Sequence, residues 1–352
     1  MKSPMVMFYG GNDPISTAKD SAEIIKRMEL IQQSGYQAEQ HNVTTNDGYI
    51  LNIFRIPRSP SKFTNETVEK PFRKIIFMLS GIATSSNMWV FTGSNISLAM
   101  QLADEGYEIW LGNYRGSTYG RNHIKLSPND KKFWDFSFHE HGYYDVPASI
   151  DYILNITNQS SLIYIGYSMG TTSVFITLSE HPEYNSKIQL VINLSPVAGF
   201  FNKPDMDLSS LPLYTMFFLQ MVEKFLKYCP AGVTGKTFIH YAQFAVQKHG
   251  FRKFDYENSD ENIKRYGKSK PPKYNLKNVK SPMLIFHGEN DPVSTAKDTE
   301  EIIKRVSSKV IAISVPFDYF THLDFIMAKN LKNLVNNQLI KQLDQFTKEN
   351  IF

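Results

Sequence analysis

Short apolar runs alternate along most of the chain with longer segments whose apolar residues recur every three or four positions. The runs Lys74-Ile75-Ile76-Phe77-Met78-Leu79, Glu108-Ile109-Trp110-Leu111, Leu162-Ile163-Tyr164-Ile165, Leu190-Val191-Ile192, Met283-Leu284-Ile285-Phe286 and Val310-Ile311-Ala312-Ile313 read as buried strands. A helix is predicted from about Ser94, with Leu98 and Leu102 on one side and Gly106 just past its end. Another starts near Asp145, with Pro147 in its first turn and Ile150, Ile153 and Leu154 facing inward. A third covers Thr171 to Ser179, and a last one sets Leu331, Val335, Leu339 and Leu343 at i+4 intervals. Ahead of all these, Asn42-Val43-Thr44-Thr45 and Tyr49-Ile50-Leu51-Asn52-Ile53 flank the turn residues Asn46-Asp47-Gly48, a hairpin signal. Residues Pro57 to Pro71 are polar and proline-bearing, and read as a surface loop. Strands alternating with helices predict an α/β fold with a mostly parallel central sheet covered on both faces.

Two stretches break this rhythm. Phe201 to Tyr228 is rich in Leu, Met and Phe and poor in charge, and it interrupts the chain between two strands. It reads either as a buried core helix or as a short cap whose adaptable apolar face meets lipid. The other is the N-terminus: Lys2-Ser3-Pro4-Met5 through Lys26-Arg27 recurs as Lys280-Ser281-Pro282-Met283 through Lys304-Arg305, identical at 19 of 26 positions. A single repeat so far away is no solenoid, which needs contiguous units. It reads as the tail of one gene copy joined to the head of the next. The expected organisation is therefore a duplicated remnant over 1–28, a first core part over 29–200, a cap over 201–229 and a second core part over 230–352.

Composition narrows the classes. A net charge of +4 over 352 residues, with no dense lysine and arginine run, argues against nucleic acid. The single cysteine, Cys229, excludes an internal disulfide framework. No stretch reaches the roughly 18 apolar residues of a membrane span. Met1 to Gly11 lacks the pattern of a secretory leader, so none is expected.

The chemistry centres on Gly166-Tyr167-Ser168-Met169-Gly170, between a strand and a helix. Such a turn lifts the serine hydroxyl off the sheet, and glycines fit where backbones crowd. A serine needs a base within hydrogen-bond reach and a group that orients the base. His322, in a loop after the last strand, is the candidate base, and Asp291 in Gly288-Glu289-Asn290-Asp291-Pro292 is the candidate acid. The chain order Ser168, Asp291, His322 is that of α/β-hydrolases. The two main-chain donors expected for an oxyanion are the amides of Met169 and Ile82. His139-Glu140-His141 offers potential metal ligands, but residues i and i+2 do not share a helix face. No metal or cofactor is expected.

With these residues in hand, the chain from about Glu29 onward resembles the eukaryotic acid lipases, the gastric and lysosomal lipases among the α/β-hydrolases. The likeness rests on Asp47-Gly48-Tyr49-Ile50-Leu51, Leu111-Gly112-Asn113-Tyr114-Arg115-Gly116, Phe133-Trp134-Asp135-Phe136-Ser137-Phe138, Tyr144-Asp145-Val146-Pro147-Ala148, Ser195-Pro196-Val197-Ala198, Pro230-Ala231-Gly232, Pro271-Pro272-Lys273-Tyr274-Asn275-Leu276 and His322-Leu323-Asp324-Phe325. It implies hydrolysis of triacylglycerols or steryl esters at a lipid–water interface, with Ser168, Asp291 and His322 as the triad, in a lysosome or outside the cell. The chain departs from the family at Ser80-Gly81-Ile82, where His-Gly-Leu is usual, and at Tyr167 and Met169, where His and Gln are usual. Its cap between Ala198 and Pro230 is shorter, and Cys229 alone stands for the cap cysteines. Six Asn-x-Ser/Thr sequons, at Asn42, Asn65, Asn95, Asn155, Asn158 and Asn193, agree with a glycoprotein, Asn193 excepted because it sits at a buried strand end. The competing readings are a short-chain carboxylesterase and a catalytically silent lipid-binding or non-functional homologue.

Overall fold

The structure, a computed structural model, describes residues 29–60, 74–201, 229–247 and 250–349. The N-terminal repeat, most of the loop up to Pro71 and nearly all of the cap stretch lie outside the described residues.

The apolar runs form the strands expected of them. Nine strands are described: β1 (Glu39–Thr44), β2 (Tyr49–Ile56), β3 (Ile75–Leu79), β4 (Glu108–Leu111), β5 (Asn122–His123), β6 (Leu162–Tyr167), β7 (Ile188–Leu194), β8 (Met283–His287) and β9 (Val310–Ser314). They make one sheet in the order β1-β2-β4-β3-β6-β7-β8-β9, with β5 paired to β2. From β4 through β9 along that order every pairing is parallel, and only the β1–β2 hairpin and its partners run antiparallel. Each crossover needs a covering helix, which is why the helical patterns fall between the strands.

The helices that matter here are α1 (Leu98–Asp104), α2 (Val146–Thr157), α3 (Met169–Glu180), α4 (Gly235–Gln247), α5 (Ser259–Tyr266), α6 (Ala296–Arg305) and α7 (Asn337–Glu349). Helix α1 starts at Leu98 rather than Ser94, because residues 94–96 form a turn and Ser97 is the extended N-cap. Pro147 sits in the first turn of α2, where its missing N–H costs nothing. Helices α4 and α5 add to the helices that the apolar pattern predicts.

Strand alternation splits the core in two. Ile76, Met78, Ile163, Ile165 and Ile192 join Leu98 and Leu102 of α1 and Leu339 and Leu343 of α7 on one face. Phe77, Leu79, Tyr164 and Val191 join Ile150 and Ile153 of α2 and Val174, Phe175 and Leu178 of α3 on the other. Because β6, β7, β8 and β9 are successive neighbours, the loops at their carboxyl ends open side by side. Four parts of the chain far apart in sequence thereby share one edge.

Candidate active site

Ser168 stands immediately after β6 and caps α3. Its φ of 52° and ψ of −116° lie where an L-residue is strained, at a cost of order 1–3 kcal/mol. Glycines at either side permit the bend. A Cβ on Gly166 would come within 2.8 Å of the Gly170 backbone, and one on Gly170 would run into the carbonyl oxygen of Leu79. Ser168 carries its own backbone out of the ordinary region and is nearly buried, at 7% exposure.

The structure brings Ser168, His322 and Asp291 together. Nε2 of His322 lies 2.8 Å from Ser168 Oγ. Nδ1 of His322 lies 2.9 Å from Asp291 Oδ2. With Nδ1 protonated against the carboxylate, Nε2 is the free acceptor for the serine proton. The amides of Val293 and Ser294 each donate to Asp291 Oδ1 at 2.8 Å. Burial alone would raise the Asp291 pKa; His322, the Ser195 hydroxyl and the Ser294 amide outweigh it and hold this carboxyl below its ordinary range.

The histidine loop is tied from both sides. Tyr167 donates its hydroxyl to the carbonyl of His322 at 2.9 Å, and its ring lies 5.3 Å from the imidazole. The amide and hydroxyl of Thr321 both donate to Asp324 Oδ2 at 2.7 Å. Tyr167 is one of the residues that depart from the family pattern, and here it positions the backbone that carries the imidazole. Nothing in the sequence shows this contact, because the partners are 155 positions apart.

Met169 opens α3, and Ile82 lies in the loop after β3, on the far side of β6 from His322. Gly81 packs so closely that a Cβ there would sit 3.2 Å from Ser168 Cβ, so this loop abuts the serine. The chain returning from the cap stretch holds it: Ala231 donates its amide to Ala83 O at 2.7 Å, and Cys229 Sγ reaches the same oxygen at 3.5 Å.

Behind the site, α4 packs on α3. Tyr241 and Thr172 bring their hydroxyls to 2.9 Å, and His240 stacks on Phe138 with ring centroids 3.9 Å apart. His240 bonds Ser137 Oγ and the Arg252 carbonyl, and His139 bonds the Tyr274 hydroxyl. His139 thus belongs to packing, His141 stacks on Tyr114 with ring centroids 4.5 Å apart, and among the described residues no group of three His, Cys, Asp or Glu could hold a metal. Burial lowers the pKa of His139, takes that of His141 well below its ordinary value and takes His240 down to about 3. These rings stay neutral in the fold, whereas the unfolded chain takes up protons below about pH 6.5. Stability therefore falls as pH drops through that value. For His240 the slope is about 1.4 kcal/mol per pH unit until its folded pKa is reached. Between pH 6.5 and 4.5 the native chain is expected to lose about 2.3 kcal/mol more than His240→Gln, measured by urea unfolding.

A family described as "alpha/beta hydrolase fold" matches residues 74–315, and one described as "Partial alpha/beta-hydrolase lipase region" matches residues 28–93. The mouse protein "Lipase member K" is 32% identical, covering 90% of each chain. The chain belongs to the acid lipase family of α/β-hydrolases. Within it, "Lipase 3" of Drosophila melanogaster is 33% identical over 90% of this chain and 92% of its own. The human "Lysosomal acid lipase/cholesteryl ester hydrolase" is 30% identical over 94% and 93%. Among solved structures, a carboxylesterase of Nitrososphaera gargenis superposes with a TM-score of 0.53 at 11% identity, covering 88% of this chain and all of that one, a likeness of fold. Ester hydrolysis by a lipase is the chemistry these relatives support. No helix among the described residues is long and apolar enough to cross a membrane.

Proposed function

We propose that this acid lipase family member hydrolyses carboxylic esters of neutral lipids, triacylglycerols or steryl esters, through an acyl-enzyme on Ser168. The observation that carries this reading is the unbroken chain of contacts from Ser168 Oγ through both nitrogens of His322 to Asp291, at 2.8 and 2.9 Å. Ser168 Oγ attacks the ester carbonyl while its proton passes to Nε2. Asp291 holds the Nδ1 proton in place and stabilises the imidazolium. The amides of Met169 and Ile82 receive the negative oxygen of the tetrahedral intermediate. The alcohol leaves with the proton from Nε2, and a water, deprotonated by the same nitrogen, releases the fatty acid.

The substrate class comes from the relatives' names and from the apolar composition of 201–229. The shortness of that cap favours a second reading, a short-chain carboxylesterase on the same site. A series of p-nitrophenyl esters from acetate to palmitate, with a trioleoylglycerol emulsion beside it, separates the two. Activity rising with chain length, and turnover of the emulsion, is the expected result. Activity confined to the shortest esters would leave the lipase reading without support.

The same kinship supports a lysosomal or secreted destination. Of the sequons, Asn95, Asn155 and Asn158 lie exposed and fit glycosylation, whereas Asn193 is fully buried.

A further inference from the structure

Ser195 follows β7 directly and is completely buried. Its φ of 54° lies in the left-handed region, which disfavours any side chain other than glycine's absence of one. Its amide donates to Phe286 O at 2.8 Å, so the ends of β7 and β8 fix this backbone. The bend turns the hydroxyl into the triad. Ser195 Oγ lies 2.6 Å from Nδ1 of His322 and 2.5 Å from Oδ2 of Asp291.

Donor and acceptor chemistry settles the roles. An ionised carboxylate only accepts, and a hydroxyl has one proton and two lone pairs. The Ser195 O–H therefore donates to Asp291 Oδ2, and a lone pair of Oγ accepts from Nδ1–H, which is shared with the carboxylate. Asp291 Oδ1 takes two amides and lies 3.2 Å from Nδ1, whereas Oδ2, at 2.9 Å, is the nearer oxygen to the imidazole. The hydroxyl closes a triangle around the Nδ1 proton.

We propose that Ser195 is a positioning residue for the reaction, locking the ring plane of His322, its Nδ1–H tautomer and the rotamer of Asp291. This rests on the triad reading above. When Nε2 takes the Ser168 proton, the positive imidazolium makes Nδ1–H a stronger donor to both acceptors. The proton stays on Nδ1, and Ser195 keeps its own. The next residue in chain order could not do this, because Pro196 has no side-chain donor.

The test uses Ser195→Ala and Ser195→Gly, alone and with Asp291→Asn. Both remove the hydroxyl, and glycine also relieves the left-handed strain, so at least one variant keeps the fold. On p-nitrophenyl butyrate, each single variant is expected to lower kcat about tenfold or more, with KM changed less than about twofold. In the Asp291→Asn background the same changes are expected to lower kcat less than about twofold, because the hydroxyl works through that carboxylate. A loss of equal size in both backgrounds, or kcat of folded Ser195→Gly at the native level, overturns the proposal. Titration of Ser168 with a fluorophosphonate keeps the two readings apart. A native chain that folds but does not label removes the triad and this proposal together, whereas labelling with unchanged Ser195 variants removes the proposal alone.

Discussion

Asp291→Asn is expected to lower kcat about 10⁴-fold while the protein stays folded. Asparagine puts an NH2 donor where the carboxylate has its second acceptor oxygen, and a donor there favours an unprotonated Nδ1, which moves the ring proton to Nε2, where Ser168 needs an acceptor. The loss should fall on kcat, since Asp291 does not touch the substrate. Asp13→Asn, in the N-terminal copy of the same loop, is expected to change activity little. That copy has no histidine loop of its own, and Asp13 lies outside the described residues. Equal losses from both substitutions would show that the copy works. The native Asp291 also carries a stability term of definite sign: its lowered pKa stabilises the fold above the ordinary carboxylate range, and that contribution disappears as pH falls through the folded value.

The second large effect concerns Arg115, which is almost wholly buried at 2% exposure. Its Nε and Nη2 each lie 2.8 Å from Asp145 Oδ1, and Nη2 lies 2.8 Å from Asp47 Oδ1. The guanidinium stacks 4.1 Å above the Tyr49 ring. One side chain thereby ties the β1–β2 turn, the loop after β4 and the start of α2. Burial pushes Asp145 up to about 7 even with Arg115 beside it. Arg115→Ala leaves that carboxyl buried without its partner, at an expected cost of about 3–5 kcal/mol by urea unfolding. Asp145 must then bind a proton to remain buried, and binding becomes harder as pH rises. The loss should accordingly be larger at pH 8 than at pH 5. A pH-independent loss of under about 1 kcal/mol would mean the ion cluster contributes nothing beyond an exposed pair.

This cluster also explains what the motifs meant. Asp47-Gly48-Tyr49, the Arg115 turn and Tyr144-Asp145 are three of the stretches that marked the acid lipase likeness, and they converge on one structural ion cluster. Their chemistry holds the loops rather than the substrate. Ser168, Asp291 and His322 were legible because each is punctuated locally, by paired glycines, by Asn-Asp-Pro and by a loop after a strand. The parallel sheet was legible because strands buried on both faces read as unbroken apolar runs. Strand order was not legible, since pairing between distant segments leaves no local trace. The same limit hid Ser195, whose partners lie 96 and 127 positions away, and the hydroxyl of Tyr167. Helices α4 and α5 leave no clean buried stripe in the sequence, because α4 exposes Phe238 and Ile239 and α5 buries only Asn262.

The central claim is that Ser168 is a nucleophile activated by His322. It is tested most directly by treating the folded native chain with a fluorophosphonate and mapping the adduct by peptide mass spectrometry. One label per chain, on Ser168 and suppressed by His322→Ala, is the predicted result. A folded chain that takes no label, or takes it on another serine, would contradict the account.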